Sequence, residues 1–358
     1  MTTSLCCVEC FHDDTIKKII TGHQNISRCH YCNTNRVATI QLTRLIQELT
    51  STFEGLSDMF EEDNDGLKLI EVLDTDFRIF SQRTNKERIK LDITSASPSI
   101  FDKQYKSINT SEMHGQWVEF KNEILHKNRF FPQTSIYQQA FLRGGDLYNT
   151  FQQLIEQLNL PLHPSEEFYR GRISSTALPH DQMGKPPDPS LATLGRANPY
   201  GISYLYLAQT ENICIKEIRP NNGDTISIAK FCVDKELNVI DLREPRENIS
   251  FLSLSSSDYT DILKLVSLLE TFAYELALPV LPNNSQKEYI PTQFITEFFK
   301  THGNKDGIIF NSSYGEGYNI VLFDDSHCHC DTKTPISFIK IRDISFQRKR
   351  PLNPMPIF

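Results

Sequence analysis

Two arginines of this sequence stand among glycine and aromatic residues rather than on an ion-paired helix face. Arg170 lies within residues 168–172, Phe-Tyr-Arg-Gly-Arg, and Arg196 lies within residues 195–201, Gly-Arg-Ala-Asn-Pro-Tyr-Gly. The planar guanidinium group can bind a phosphate or a carboxylate through two parallel hydrogen bonds. Both segments are therefore candidates for binding an anionic substrate.

One carboxylate, Glu217, follows the largely apolar residues 213–216, Ile-Cys-Ile-Lys. A carboxylate with such neighbours is either held in an ion pair or placed for a function, because an unpaired buried charge is costly. The spacing alone favours the structural role and leaves the catalytic one open.

Aromatic and small polar side chains could complete a ligand site. Tyr204 and Tyr206 are two residues apart in a predicted strand, so both side chains lie on one face, where a ring could stack on a heteroaromatic ligand. Ser312 and Asn319 flank a glycine-containing loop and could hydrogen-bond a sugar or a phosphate.

The cysteines point to a separate metal site, since five of the nine fall in the first 32 residues. Four of these form two Cys-x-x-Cys pairs, namely Cys7, Cys10, Cys29 and Cys32. Each pair can present two sulfurs to one tetrahedral ion, so the spacing predicts a structural zinc site. Four thiolates close the coordination shell, which favours a role in folding, with recognition of nucleic acid or protein as the alternative.

The elements that must position these residues are mainly helical in the first half of the chain and richer in strands in the second. Apolar residues spaced by three and four predict helices in residues 35–160, and the prolines in 161–164 mark a boundary. Short alternating segments predict strands after it. We therefore predict an α+β protein with a cysteine-rich zinc-binding module at 1–34, a helical domain at 35–160 and a mixed α/β domain at 161–358.

Composition excludes several classes of protein. The 358 residues carry 37 basic and 45 acidic side chains, and this net charge of −8 argues against a protein that coats nucleic acid non-specifically. No run of about 18 apolar residues occurs, so no membrane-spanning helix and no membrane partner are predicted. The first residues lack a basic segment followed by an apolar one, so a cytoplasmic protein is predicted.

The motifs of the second half, taken in order, resemble those of the RES family, which is named for a shared arginine, glutamate and serine. The positions that match the family pattern are Arg170 (with Arg172 as the alternative), Arg196, Tyr206, Glu217, Ser312 and Asn319. The resemblance spans about residues 165–325. The sequence departs from the pattern at Phe310, where the family has tyrosine, and at 213–216, where it has an alanine ahead of the glutamate. The cysteine-rich start is similar to an extension found ahead of some longer RES proteins.

The resemblance implies an ADP-ribosyltransferase-like fold and a toxin or defence effector that consumes NAD by splitting the bond between nicotinamide and ribose. The acceptor would be water, phosphate or, as the alternative function, a protein that is mono-ADP-ribosylated. The implied catalytic residues are Glu217, Arg170, Tyr206 and Ser312, and the implied substrate-binding residues are Arg172, Arg196, Tyr204 and Asn319. A cognate antitoxin or regulatory protein, and a second copy of the chain, are the expected partners. A zinc-containing binding or sensor protein without turnover is the non-enzymatic alternative.

Overall fold

A computed structural model describes residues 4–106, 108–186, 188–254, 259–279 and 285–342. Helices and strands are both abundant, and the predicted α+β class is confirmed. Among the described residues, no helix has the length and apolar character needed to cross a membrane.

The chain forms two compact units, each built from separate stretches of sequence. Unit 1 comprises Met1–Leu160, Gly195–Ala197 and Asn238–Phe310, and unit 2 comprises Pro161–Leu194, Asn198–Leu237 and Asn311–Phe358. The chain first leaves unit 1 at the proline-containing segment 161–164, yet residues 238–310 return to it. The division into three sequential domains stays a prediction.

Strands and helices are numbered in chain order. The strands are β1 (Leu5–Cys7), β2 (Ile26–Ser27), β3 (Val37–Gln41), β4 (Glu62–Lys68), β5 (Gln104–Tyr105), β6 (Asn159–Leu162), β7 (Glu167–Ile173), β8 (Leu205–Ala208), β9 (Thr225–Val233), β10 (Leu237–Asp241), β11 (Gly307–Asn311), β12 (Tyr318–Leu322), β13 (Cys328–Cys330) and β14 (Ser337–Lys340). The helices are α1 (Asp14–Gly22), α2 (Leu42–Ser57), α3 (Leu69–Thr75), α4 (Lys86–Ala96), α5 (Pro98–Phe101), α6 (Ser111–His126), α7 (Tyr148–Gln157), α8 (Glu211–Ile218), α9 (Pro245–Asn248), α10 (Tyr259–Ala277), α11 (Ser285–Glu288) and α12 (Ile290–His302).

Unit 1 begins with a small antiparallel sheet in the order β1-β3-β2. Helix α1 starts beside it, because the buried carboxylate of Asp13 accepts hydrogen bonds from the backbone N–H groups of Thr15 and Ile16. Farther along the chain, α10 buries an apolar face, and the ring of its Phe272 meets Trp117 of α6 edge-on at 4.8 Å. Strands β10 and β11 pair in parallel, so the chain between them crosses over through α9–α12.

Unit 2 is an antiparallel sheet in the order β13-β9-β7-β8-β12, with β14 also paired to β9. Helix α8 packs on β7 and buries Ile213 and Cys214 against Ile226 and Ile228 of β9. This close approach depends on Gly171 of β7, because a Cβ atom there would lie 2.3 Å from Cδ1 of Ile218. The strand that was predicted to include Tyr204 begins only at Leu205.

Candidate functional site

Glu217 lies in the last turn of α8, and two residues distant in sequence bind its carboxylate. Oγ of Ser312 and Nδ2 of Asn319 each donate a hydrogen bond of 2.7 Å to Oε1 of Glu217. Ser312 directly follows β11 and Asn319 lies in β12, so the end of one strand and the start of the next hold the helix carboxylate. Within the described part of the chain, Oε2 of Glu217 makes no hydrogen bond and the side chain forms no ion pair.

The position of Glu217 within α8 is electrostatically unfavourable. Thr210 caps the start of the helix, where its hydroxyl accepts from the N–H of Ile213, and Arg219 caps the end in the left-handed conformation, with φ of 52°. Carboxylates are disfavoured near a helix C-terminus, where the backbone carbonyls concentrate negative charge. Two neutral donors, rather than a cation, hold the half-buried side chain, so its negative charge is not cancelled by an ion pair.

The loop after β11 orients the Ser312 hydroxyl. The N–H of Tyr314 donates to Oγ of Ser312 at 3.1 Å, so the single hydrogen of that hydroxyl is directed at Glu217. The backbone N–H of Ser312 donates to the carbonyl oxygen of Gly317 at 2.9 Å and closes the loop. Gly317 has φ of +136°, and a Cβ atom there would lie 2.9 Å from Ile213, so the loop lies close against α8.

Arg170 and Arg172 are half-buried on one face of β7, because side chains of a strand alternate. Nη1 of Arg170 donates to the carbonyl oxygen of Tyr206 at 2.9 Å, and Nη2 of Arg172 donates to that of Gly184 at 2.5 Å. The Nε atoms of both arginines are buried and have no hydrogen-bond partner among the described residues. Buried N–H groups without partners are rare in folded proteins, so these two are candidates for binding an anion.

The charge of this pair survives at neutral pH. Burial, together with the like charge of Arg172, lowers the pKa of Arg170 to about 10. Burial also lowers the pKa of Arg172. Arg170 therefore stays a cation near pH 7, and its partial burial reduces the screening of its charge by water.

The two candidate tyrosines have different surroundings. Tyr206 is half-buried in β8, and its hydroxyl donates to Oδ1 of Asn198 at 2.6 Å. Tyr204 precedes the strand, is only 3% exposed and packs its ring 5.1 Å from that of Phe323. The structure thus leaves part of Tyr206 accessible to a ligand and buries Tyr204, whose binding role stays a prediction.

Arg196 belongs to unit 1, where Nη1 donates to the carbonyl oxygen of Leu276 near the end of α10, at 2.6 Å. Its own carbonyl oxygen accepts from the hydroxyl of Thr292, and that of Gly195 accepts from Nε2 of Gln293. These contacts account for the local fold of Arg196, and its role toward a substrate stays a prediction.

Sequence reasoning missed two residues that shape this region. Asn198 is 3% exposed and makes hydrogen bonds through both the oxygen and the nitrogen of its amide. Gly171 lacks a side chain, which allows α8 to pack closely on β7. Asn198 stands in an Asn-Pro-x-Gly turn, and Gly171 stands between two arginines of a strand. A polar residue in a turn and a glycine within a strand are the available signals, because each marks a tight local structure.

The predicted cysteine ligands meet in the first unit. The sulfur atoms of Cys7, Cys10, Cys29 and Cys32 all lie within 4.8 Å of one another. The sulfur atoms of Cys7 and Cys32 are 3.4 Å apart, as are those of Cys10 and Cys29, and those of Cys7 and Cys10 are 3.8 Å apart. Four thiolates bound to zinc at about 2.3 Å would lie about 3.8 Å from one another, so the donor set fits this ion.

Neighbouring Cys6 is not part of the cluster. Its Sγ donates to the carbonyl oxygen of Ile40 at 3.7 Å, and burial holds the pKa of its thiol well above the ordinary value. In the described part of the chain, the four-cysteine cluster is the only group of three or more potential ligands close enough to share an ion.

A comparison with known protein families finds a match in the second half of the chain. The family model of the RES domain matches residues 170–348, which is half of the sequence. A search of curated proteins finds no match. The crystal structure of the M. tuberculosis MbcT-MbcA toxin-antitoxin complex is similar at 13% identity with a TM-score of 0.29, over 55% of this chain and 94% of that chain. The family match begins at Arg170 and excludes the cysteine cluster.

Proposed function

Because this chain belongs to the RES domain family, we propose that it cleaves the bond between nicotinamide and ribose in NAD. The observation that supports this reaction best is the carboxylate of Glu217, held at one oxygen by Ser312 and Asn319. Without a partner among the described residues, its second oxygen is available to a ligand.

The reaction needs stabilisation of positive charge more than it needs an acid. When the bond breaks, its electron pair goes to the ring nitrogen of nicotinamide, which leaves as a neutral molecule. The ribose then carries positive charge, as in the oxocarbenium-like transition state of glycoside cleavage. Glu217 would stabilise this charge, because a fixed carboxylate acts most strongly where charge develops. Water or phosphate then adds to the ribose carbon and loses a proton.

The arginines and Tyr206 would hold the substrate in place. The half-buried guanidinium groups of Arg170 and Arg172 are suited to the pyrophosphate of NAD, since that group offers anionic oxygens to N–H donors. The half-buried ring of Tyr206 would stack on nicotinamide or its ribose. Such contacts fix the geometry before the bond breaks, which is a large part of catalysis.

Chromatography of NAD after incubation with the pure protein, with and without phosphate, tests the proposal. Free nicotinamide with ADP-ribose would indicate hydrolysis, and a phosphorylated ADP-ribose would indicate phosphorolysis. Glu217→Gln keeps the shape of the side chain and removes its charge, so we expect turnover to fall by about 10²–10³. Glu211→Gln, in the first turn of the same helix, is the matched control and should turn over NAD like the wild type. Equal rates for Glu217→Gln and the wild type would overturn the assignment.

The proposal includes a structural zinc ion and a biological role. Zinc would bind the four-cysteine cluster and stabilise the start of unit 1, and four thiolates would leave it no open position for water. The family resemblance suggests a toxin or defence effector restrained in the cytoplasm by an antitoxin or a regulatory protein. Expression of the wild type should arrest bacterial growth and lower cellular NAD, whereas Glu217→Gln at equal abundance should do neither.

A further inference from the structure

Asn198 joins the loop before β8 to the Tyr206 hydroxyl. Its side chain is 3% exposed, and Nδ2 lies within hydrogen-bond distance of three carbonyl oxygens. These belong to Thr193, Pro199 and Ile202, at 2.9, 3.2 and 2.8 Å. On the other side of the amide, Oδ1 lies 2.6 Å from the hydroxyl oxygen of Tyr206.

These partners determine the direction of the hydrogen bond to Tyr206. Backbone carbonyls only accept hydrogen bonds, so the NH₂ group of Asn198 must face them. The opposite amide orientation would place an oxygen against three other oxygens in a buried place. Oδ1 of Asn198 can only accept, so the single hydrogen of the Tyr206 hydroxyl is committed to it.

Tyr206 is also held from the other end. Nη1 of Arg170 donates to its backbone carbonyl oxygen at 2.9 Å. Tyr206 is therefore bound at its backbone by Arg170 of β7 and at its hydroxyl by Asn198, while its side chain remains half-buried.

We infer that Asn198 is a positioning residue that fixes Tyr206 as a hydrogen-bond donor, so that Tyr206 meets its ligand with the face of its ring and does not supply a proton. This inference rests on the proposed NAD cleavage for the identity of the ligand. It is consistent with the chemistry of that reaction, in which nicotinamide leaves as a neutral molecule and requires no acid.

Kinetics of three tyrosine variants separate a ring contact from a proton donor. We expect Tyr206→Phe to raise KM for NAD about fivefold, which corresponds to one ordinary hydrogen bond, with little change in kcat or in its alkaline pH limit. Tyr206→Leu, which also loses the aromatic face, should raise KM about tenfold further. Tyr200→Phe is the matched control, because Tyr200 lies in the same loop and is 65% exposed. A hundredfold loss of kcat in Tyr206→Phe, with a shifted alkaline limit, would overturn the inference.

A stability cycle tests the hydrogen bond without reference to any activity. Thermal unfolding of Tyr206→Phe, Asn198→Ser and the double variant should show that the double variant loses less than the sum of the two single losses. Additive losses of stability would show that the two side chains are not coupled by a hydrogen bond. Where Asn198→Ser does not fold, a lower unfolding midpoint in Tyr206→Phe, by about 1–2 °C, but not in Tyr200→Phe supports the hydrogen bond, and equal midpoints overturn it. An absence of NAD turnover in the wild type would refute the proposed function and leave this cycle readable.

Discussion

The helix that carries Glu217 packs on the sheet of unit 2 at Gly171, and adding one methyl group there should disturb both stability and activity. In Gly171→Ala the new Cβ atom would lie 2.3 Å from Cδ1 of Ile218 and 3.1 Å from Sγ of Cys214. Non-bonded carbon atoms sit at about 3.5–4.0 Å, so more than 1 Å of separation must be regained. Ile218 follows Glu217 directly, and a shift of the helix end therefore moves the carboxylate.

The size of the effect depends on how far the side chain of Ile218, which is only partly buried, can move aside. Its side chain packs against the buried cluster formed by Ala208, Ile213, Cys214, Ile226 and Ile228. Forcing an extra methyl group into a packed core costs about 1–3 kcal/mol. For activity, a displacement of about 1 Å at a reacting group can cost about 10²-fold. We thus expect Gly171→Ala to lower the urea midpoint and to reduce nicotinamide release more than its folded fraction explains.

A second substitution tests whether the clash is the cause. Ile218→Val removes the Cδ1 atom that the new methyl group would meet, at a cost of about 0.5–1.5 kcal/mol by itself. The double variant should therefore be more stable than Gly171→Ala and should recover turnover. Gly115→Ala is the control, since a Cβ atom at that helix position meets nothing within 4 Å. A Gly171→Ala protein as stable and as active as the wild type would refute this reasoning. A double variant less stable than both single variants would refute it too.

Three further predictions concern the carboxylate, the cysteine cluster and the arginine. Ser312→Ala and Asn319→Ala each remove a hydrogen bond to a charged group, worth about 1.5–3 kcal/mol, so each should slow nicotinamide release about tenfold or more, and wild-type rates in the double variant would contradict the role of these donors. Metal analysis should find one zinc per chain. Cys29→Ser should lose the zinc together with thermal stability, whereas Cys6→Ser should retain it, because the sulfur of Cys6 donates to the carbonyl oxygen of Ile40 instead. Zinc retained in Cys29→Ser would argue against the site. Because burial lowers the pKa of Arg170 to about 10, KM for NAD should rise as the pH passes about 10, and a constant KM up to pH 11 in folded protein would contradict this lowered pKa. The effect on stability has the opposite sign. The folded-state pKa of Arg170 lies below the ordinary value for arginine, so charged Arg170 costs stability at neutral pH, and this cost is relieved as the pH rises through 10.

Residue types and spacing indicated which side chains to examine, but not which of them touch. Glu217 lies 95 residues from Ser312 and 102 from Asn319, and no local pattern could show that both donate to the same oxygen. The cysteine cluster could be predicted from the sequence because its chemistry is local: each Cys-x-x-Cys pair brings two sulfurs together within one turn.

Strand alternation failed at Tyr204 for a reason that lies in the turn before it. The period of two predicted that Tyr204 and Tyr206 share a face of one strand. Gly201 adopts a φ of +81°, and Asn198 binds the carbonyl oxygen of Ile202, so the chain enters the sheet only at Leu205. Tyr204 is left to pack on Phe323, a contact that depends on tertiary structure and has no signature in the local sequence.

Distant segments of the chain share the core of unit 1, so the region that matches the RES family cannot be separated simply from the residues before it. Residues 238–310 lie inside the matched region 170–348, yet they cluster with residues 1–160. Trp117 packs on Phe272 and donates through Nε1 to the carboxylate of Glu275 at 3.1 Å, and the buried carboxylate of Asp13 accepts from Ser250. A chain that lacks residues 1–160 would expose these groups and leave polar atoms without partners. Loss of activity on such truncation would therefore report unfolding of unit 1, so a regulatory role for the first 160 residues has to be sought with point substitutions on their exposed surface.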